Sequence, residues 1–247
     1  MIPVILIPAR MAATRLPGKP LADIGGEAMV VRVLKAALKA AVGPVIVAAG
    51  DAEIVAAVRA AGGAAVLTDP ALPSGSDRIL AALEDADPDG RFDAVLNLQG
   101  DMPFVEGDVI RACLELLRRE PRCDIATIVA PETSPGDRTS PEVVKAVVAL
   151  DAGRRGGRAL YFTRSTLYGE GSIWRHVGLY AYRRSALVRF CAATPSPLER
   201  RENLEQLRAL ELGLTIYADV VPAAPLSVDT PADLAAARAR VARDVEA

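Results

Sequence analysis

Residues 1–21 read Met-Ile-Pro-Val-Ile-Leu-Ile-Pro-Ala-Arg-Met-Ala-Ala-Thr-Arg-Leu-Pro-Gly-Lys-Pro-Leu, an apolar run that turns abruptly into a loop holding Arg10, Arg15 and Lys19. Met1–Ile7 is rich in Val, Ile and Leu, which predicts a buried strand, and Pro8 predicts its end. The three cations beyond it repel one another until an anion joins them. Ligands of open α/β sheets bind in the crevice outside the carboxyl ends of the strands, so a triphosphate suits this loop. Solvated charges on an irregular connector are the competing reading. Pro17, Gly18 and Pro20 favour the ligand: prolines limit the loop's freedom, and Gly18 permits backbone angles that bring N–H groups close to an anion.

Two better-known phosphate loops do not fit. A P-loop needs Gly five residues before its Gly-Lys and Ser or Thr after it, but Ala13 and Pro20 occupy those positions. No G-x-G-x-x-G joins a strand to a helix, which sets aside a Rossmann dinucleotide site.

Outward from the loop, strand and helix patterns alternate. Strands are expected at Val4–Ile7, Val45–Ala49, Ala64–Leu67 and Ala94–Leu98, and helices at Glu27–Ala41, Ala52–Ala61, Ser76–Ala86 and Gly107–Arg119. Such alternation predicts an α/β fold with a mostly parallel sheet flanked by helices. Met29, Val30, Val33, Leu34, Ala37, Leu38 and Ala41 form the stripe of a sheet-covering helix. After a strand at Ile125–Val129 the rhythm changes. Pro131–Pro141 is irregular, and Val143–Leu150, Ala159–Thr163 and His176–Arg183 read as strands without long helices between them. The expectation is one domain over residues 1–247 with a β-rich insert at about 131–185. Helical periodicity returns over Pro197–Leu212, a strand is expected at Leu214–Ala218, and Thr230 and Asp233 around Pro231 mark the start of a last helix.

Composition excludes several classes. Lys and Arg number 29 against 31 Asp and Glu, a net charge of -2, so no global field favours nucleic acid or an anionic membrane. No apolar run approaches the roughly 18 residues of a spanning helix, and the N-terminus lacks a signal-peptide pattern, which predicts a cytoplasmic protein. Cys113, Cys123 and Cys191 are odd in number and unevenly spaced, and read as core or near-core thiols rather than a disulfide framework or a zinc site.

Further candidates follow the strands. Asn97-Leu98-Gln99-Gly100-Asp101 places a carboxylate beyond a buried strand, and Ser227-Val228-Asp229-Thr230 places a second one before a helix. Converging, they would hold a Mg²⁺ that bridges nucleotide phosphates; separately, each reads as a turn or cap residue. Ser74-Gly75-Ser76-Asp77-Arg78 opens a helix, either as a nucleotide contact or as a capping turn with a surface Arg. His176, the sole histidine, reads locally as a hydrogen-bonded structural residue and Tyr180 as a core aromatic. Glu205 and Gln206 read as an exposed helical pair.

Taken together, Ile7–Leu21, Ser74–Ile79, Asn97–Pro103, Tyr161–Arg164, His176–Arg183, Pro197–Gly213 and Val228–Leu234 resemble the cytidylyltransferases that activate acidic sugars, and among them the CMP-Kdo synthetase family. The resemblance runs through nearly the whole chain. It implies a nucleotide-diphospho-sugar transferase type of fold, a homodimer whose contact involves the insert, Mg²⁺ dependence, and reaction of CTP with 3-deoxy-manno-octulosonate (Kdo) to give CMP-Kdo and pyrophosphate for lipopolysaccharide synthesis. By position it assigns Arg10, Arg15 and Lys19 to the CTP phosphates, with Arg78 and Gln99 as further nucleotide contacts. It assigns Asp101 and Asp229 to the metal, and Arg164, His176, Tyr180, Glu205 and Gln206 to the sugar. Arg15, Lys19 and Asp101 would carry the catalytic charge stabilisation. The chain departs from the family at Met102, where many members have Glu, at Asp77, often Glu, and at Ala49-Gly50-Asp51, where the acidic residue is shifted. Another acidic sugar, such as an amino-Kdo analogue or a sialic acid, and a non-catalytic nucleotide-binding module are the alternatives.

Overall fold

A computed structural model describes residues 1–12, 15–150, 155–171 and 173–246. Its strands are β1 (Pro3–Ala9), β2 (Val45–Ala49), β3 (Ala64–Leu67), β4 (Ala94–Leu98), β5 (Ile125–Pro131), β6 (Lys145–Leu150), β7 (Gly156–Thr163), β8 (Trp174–Arg183) and β9 (Ile216–Val220). Its helices are α1 (Met29–Ala40), α2 (Ala52–Ala60), α3 (Gly75–Ala86), α4 (Gly107–Arg119), α5 (Arg184–Cys191), α6 (Pro197–Glu202), α7 (Gln206–Glu211) and α8 (Pro231–Glu246). The chain divides into two compact units, one of Ile2–Ile110 with Pro225–Ala247 and one of Arg111–Ala224 together with Met1. Among the described residues no helix is long and apolar enough to cross a membrane.

In the first unit the strands run parallel in the order β3-β2-β1-β4. Val4, Ile5, Leu6 and Ile7 are fully buried, as an apolar run must be when helices cover both faces of a sheet. The expected break at Pro8 is not observed: β1 continues to Ala9, with Pro8 opposite Ala48. The physical reason lies in the register. β1 pairs with β4 only as far as Leu6, so at Pro8 the strand has a single neighbour and the missing N–H is tolerated. α1 buries Met29, Val30, Val33, Leu34 and Ala37, but Leu38 is exposed and Ala41 has left the helix at φ 53°. Thr230 and Asp233 cap α8 reciprocally, at 3.2 Å from the Asp233 N–H to the Thr230 hydroxyl and 2.8 Å from the Thr230 N–H to the Asp233 carboxylate. α8 then buries Leu234 and Ala237 against Ile24, Met29 and Val228.

In the second unit the order is β8-β5-β9-β7-β6, with β5 and β9 parallel, the other neighbours antiparallel, and a short β6–β8 pairing besides. The sequence pattern does not single out α5, because its eight residues carry too little period to stand out after the strand that precedes them. The expected helix over Pro197–Leu212 is two helices, separated where Asn203 takes φ 54°. Cys113 and Cys123 are buried and all three cysteines are free, as expected.

Candidate active site

The order β3-β2-β1-β4 puts the switch in winding direction between β1 and β4, so the connections leaving these two strands diverge and open a crevice. The chain leaves β1 through Arg10 and Met11 and leaves β4 through Gln99, Gly100 and Asp101. Asp51, two residues beyond the end of β2, accepts the Met11 N–H at 2.7 Å and pins the start of the cationic loop. The loop closes on itself through Gly18, whose N–H donates to the Met11 carbonyl at 3.3 Å and whose φ of 69° suits glycine; Lys19 follows in a single 3₁₀ turn.

The Lys19 ammonium lies 2.9 Å from Asp101 and 3.1 Å from Asp229, and Arg15 lies 3.1 Å from the same Asp229 oxygen. The two carboxylates are fixed relative to each other by the backbone, since the Val228 N–H donates to the Asp101 carbonyl at 2.9 Å. Burial pulls the Lys19 pKa down, but attraction and hydrogen bonds from Asp101 and then Asp229 outweigh it, so the pKa is raised and the ammonium is held charged. Burial also raises the Asp101 carboxyl, with Asp229 adding to the rise and Lys19 opposing it. Two carboxylates that already converge on one cation form a donor set suited to an ion that completes its shell with phosphate and water oxygens. Among the described residues no third carboxylate, His or Cys joins them.

Arg78 is 1% exposed, which removes the surface-Arg reading of the α3 start, although the capping turn is present: the Ser74 hydroxyl accepts the Asp77 N–H at 3.1 Å. The Arg78 guanidinium donates to the Thr68 hydroxyl at 2.6 Å and to the Asp69 carbonyl at 3.1 Å. Burial lowers its pKa, and the charge of Arg10 lowers it further. Gly50 makes room for it, because a Cβ there would meet an Arg78 nitrogen at 2.8 Å. Met102 is buried, so the position after Asp101 packs into the core. Arg10, Arg15, Lys19, Arg78, Gln99, Asp101 and Asp229 all line one cavity of about 310 Å³, which Ser74 and Gly75 at the start of α3 also border. Four cations face two carboxylates there, so the cavity favours an anion.

The candidates for the sugar lie in the second unit. The His176 ring packs 5.0 Å from Phe162 and 5.3 Å from Tyr180, centroid to centroid. Its Nε2 is 3.0 Å from the Thr127 hydroxyl, whose proton has the Leu179 carbonyl as acceptor at 2.9 Å. The hydroxyl therefore accepts from Nε2–H, and Nδ1 is left as an acceptor. Burial pushes the His176 pKa down to about 3. With folded pKa below the ordinary 6.5, charging this ring costs stability as pH falls below 6.5. The single histidine makes the check direct: its ring resonances are expected to stay those of a neutral imidazole from pH 8 down to 5, and a midpoint near 6.5 would contradict the burial.

Tyr180 is buried and feels the charge of Glu205, and Gln206 is buried at the start of α7, so Glu205 and Gln206 are not an exposed pair. Arg164 follows β7, donates to the Pro141 carbonyl at 2.9 Å, and has a buried Nε with no acceptor among the described residues. Two charged neighbours carry no assignment in the sequence reading: Lys145 and Glu202. Lys145, fully buried inside the run Val143-Val144-Lys145-Ala146-Val147-Val148, had a visible signal, because a lone cation in an apolar strand must find buried partners.

A model of the Cytidylyltransferase family matches residues 4–216. The 3-deoxy-manno-octulosonate cytidylyltransferase of Rhodospirillum centenum is 58% identical over 238 residues, covering 96% of this chain and 92% of that protein. The protein of the same name from Parvibaculum lavamentivorans is 57% identical over 242 residues, covering 98% and 93%. Among solved structures, a CMP:2-keto-3-deoxy-manno-octonic acid synthetase complexed with CTP is 36% identical with a TM-score of 0.89, covering 99% of this chain and 100% of that one.

Proposed function

The chain belongs to the cytidylyltransferase family, and on that premise we propose that it transfers CMP from CTP to Kdo, releasing pyrophosphate and making the activated sugar used in lipopolysaccharide synthesis. The observation that carries this reading is the cavity at the β1/β4 switch, where four cations and two carboxylates meet beside a helix N-terminus. The names of relatives more than half identical over almost the whole chain point to the same two substrates.

In this proposal Arg10, Arg15 and Lys19 hold the triphosphate, while Arg78 and Gln99 contact the nucleoside part. Asp101 and Asp229 would hold Mg²⁺, which when bound supplies Lewis-acid neutralisation of phosphate charge. The anomeric hydroxyl of Kdo attacks the α-phosphorus of CTP, the new P–O bond forms as the bond to pyrophosphate breaks, and the hydroxyl proton passes to solvent. Arg15 and Lys19 stabilise the charge that grows on the departing pyrophosphate. Arg164 pairs with the Kdo carboxylate, and His176, Tyr180, Glu205 and Gln206 hydrogen-bond its hydroxyls. The protein thus contributes position and electrostatics rather than a covalent intermediate. As part of the same proposal it works as a cytoplasmic homodimer without nucleic-acid or membrane partners, on the strength of the family resemblance and its slight net charge.

The test is pyrophosphate release by purified protein with CTP and Mg²⁺, comparing Kdo, an amino-Kdo analogue, a sialic acid and no sugar. Release that depends on Kdo is expected. Preference for another acid would move the function to that sugar, and CTP binding with no release under any condition would make the chain a nucleotide-binding module.

A further inference from the structure

Glu202, at the end of α6, gathers three donors from the segment Tyr161–Arg164. One of its carboxylate oxygens accepts the Thr163 hydroxyl at 3.0 Å and the Arg164 N–H at 3.1 Å, and the other accepts the Tyr161 hydroxyl at 3.3 Å. At the other end of the same residue, the buried Lys145 ammonium donates to the Arg164 carbonyl at 2.7 Å, to the Ser140 carbonyl at 2.7 Å and to the Val143 carbonyl at 3.0 Å. An anion holds the Arg164 N–H while a cation holds its C=O, and both bonds are charge-assisted.

We propose that Glu202 and Lys145 are positioning residues for the acidic sugar: together they clamp the Arg164 backbone so that its guanidinium stands ready for a carboxylate. This rests on the reading of the chain as a Kdo cytidylyltransferase. One observation points to a ligand rather than to a purely structural knot. The buried Arg164 Nε lacks an acceptor among the described residues, and leaving a buried charged donor unmet is costly. The groups sense one another: burial and then Arg164 lower the Lys145 pKa, and Glu202 works against them. A sugar carboxylate supplies the missing acceptor, and Glu202 reaches it only through Arg164.

The experiment compares KM values for Kdo and CTP in wild type, Glu202→Ala and the isosteric Glu202→Gln, with CTP-induced thermal shift as a binding readout that needs no turnover. Glu202→Ala is expected to raise KM for Kdo about 10-fold or more, because a displaced positioning group weakens substrate contacts steeply. Glu202→Gln keeps an acceptor for the Arg164 N–H and is expected to recover part of that loss while still raising KM for Kdo about threefold. KM for CTP and the CTP-induced shift stay at wild-type values in both. If Glu202→Ala fails to fold, Glu202→Gln decides alone. A KM for Kdo unchanged in Glu202→Gln, or KM values for Kdo and CTP that rise together, overturns the clamp. Wild type that releases no pyrophosphate with Kdo overturns the functional reading instead.

Discussion

Asp101→Asn is expected to reduce Kdo-dependent pyrophosphate release by at least about 100-fold without lowering the melting temperature. The two halves of this expectation have different causes. Activity falls because one of the two carboxylates that converge on a cation is lost, and an amide oxygen is a weaker, neutral ligand. Stability holds because Asp101 ionises at a cost: burial raises its pKa above the ordinary 3.8, and the proximity of Asp229 adds to the rise. A carboxyl with a raised folded pKa contributes most below pH 3.8, and that contribution is lost as pH rises through the folded value. At neutral pH the neutral, isosteric Asn escapes this penalty, while Lys19 and Arg15 retain Asp229 as partner. Measuring melting temperature and turnover on the same preparation separates the outcomes. Wild-type turnover removes Asp101 from the mechanism, and a collapse in melting temperature makes the carboxylate structural.

The same residues show how far sequence reaches. The strands at 45–49, 64–67 and 94–98 coincide with the observed bounds because each is a short apolar run between turn signals. The cationic loop was legible because its charges sit at a strand end, a location fixed by topology alone. The failures are of three physical kinds. Pro8 stays in β1 because its neighbour strand ends first, a matter of register that no local pattern reveals. The helix over 197–212 breaks because Asn203 takes a left-handed backbone conformation, which asparagine adopts readily but does not announce. The Arg78 guanidinium goes inward because Gly50, 28 residues earlier in the chain, leaves it room, so its burial follows from two positions and not one. Glu202 belongs to the same class. Its place in an amphipathic helical pattern was readable, but its partners Tyr161, Thr163 and Arg164 lie about 40 residues away in sequence, across the strand β8 and the helix α5, and only the fold brings them together.

Glu199→Ala is expected to be the most destabilising single change outside the cavity, costing about 3 kcal/mol, the magnitude for removing one partner of a buried ion pair. Glu199 does two jobs. It takes both parallel N–H groups of Arg208, at 2.7 and 2.6 Å, with the side chains only 13% and 6% exposed. It also accepts the Ser196 N–H at 3.0 Å while the Ser196 hydroxyl accepts the Glu199 N–H, a reciprocal cap on α6. Truncation therefore strips the Arg208 guanidinium of its bidentate partner beside the Phe190 ring and opens the cap. For a chain of 247 residues the loss corresponds to roughly 8 °C in melting temperature. The pH dependence has the opposite sign to that of Asp101. Burial works to raise the Glu199 pKa, but hydrogen bonds from Arg208 and Ser196 outweigh it and hold the carboxyl below 4.5. Its contribution is present above pH 4.5 and is lost as pH falls through the depressed folded value, so the wild-type advantage over Glu199→Ala should shrink on acidification below 4.5. A double-mutant cycle with Arg208→Met isolates the pair. Once Glu199 is gone, removing the guanidinium should restore part of the stability, because a buried charge stripped of its bidentate partner is worse than an apolar side chain of similar length. Strict additivity of the two changes would mean that the cap, and not the ion pair, carries the effect.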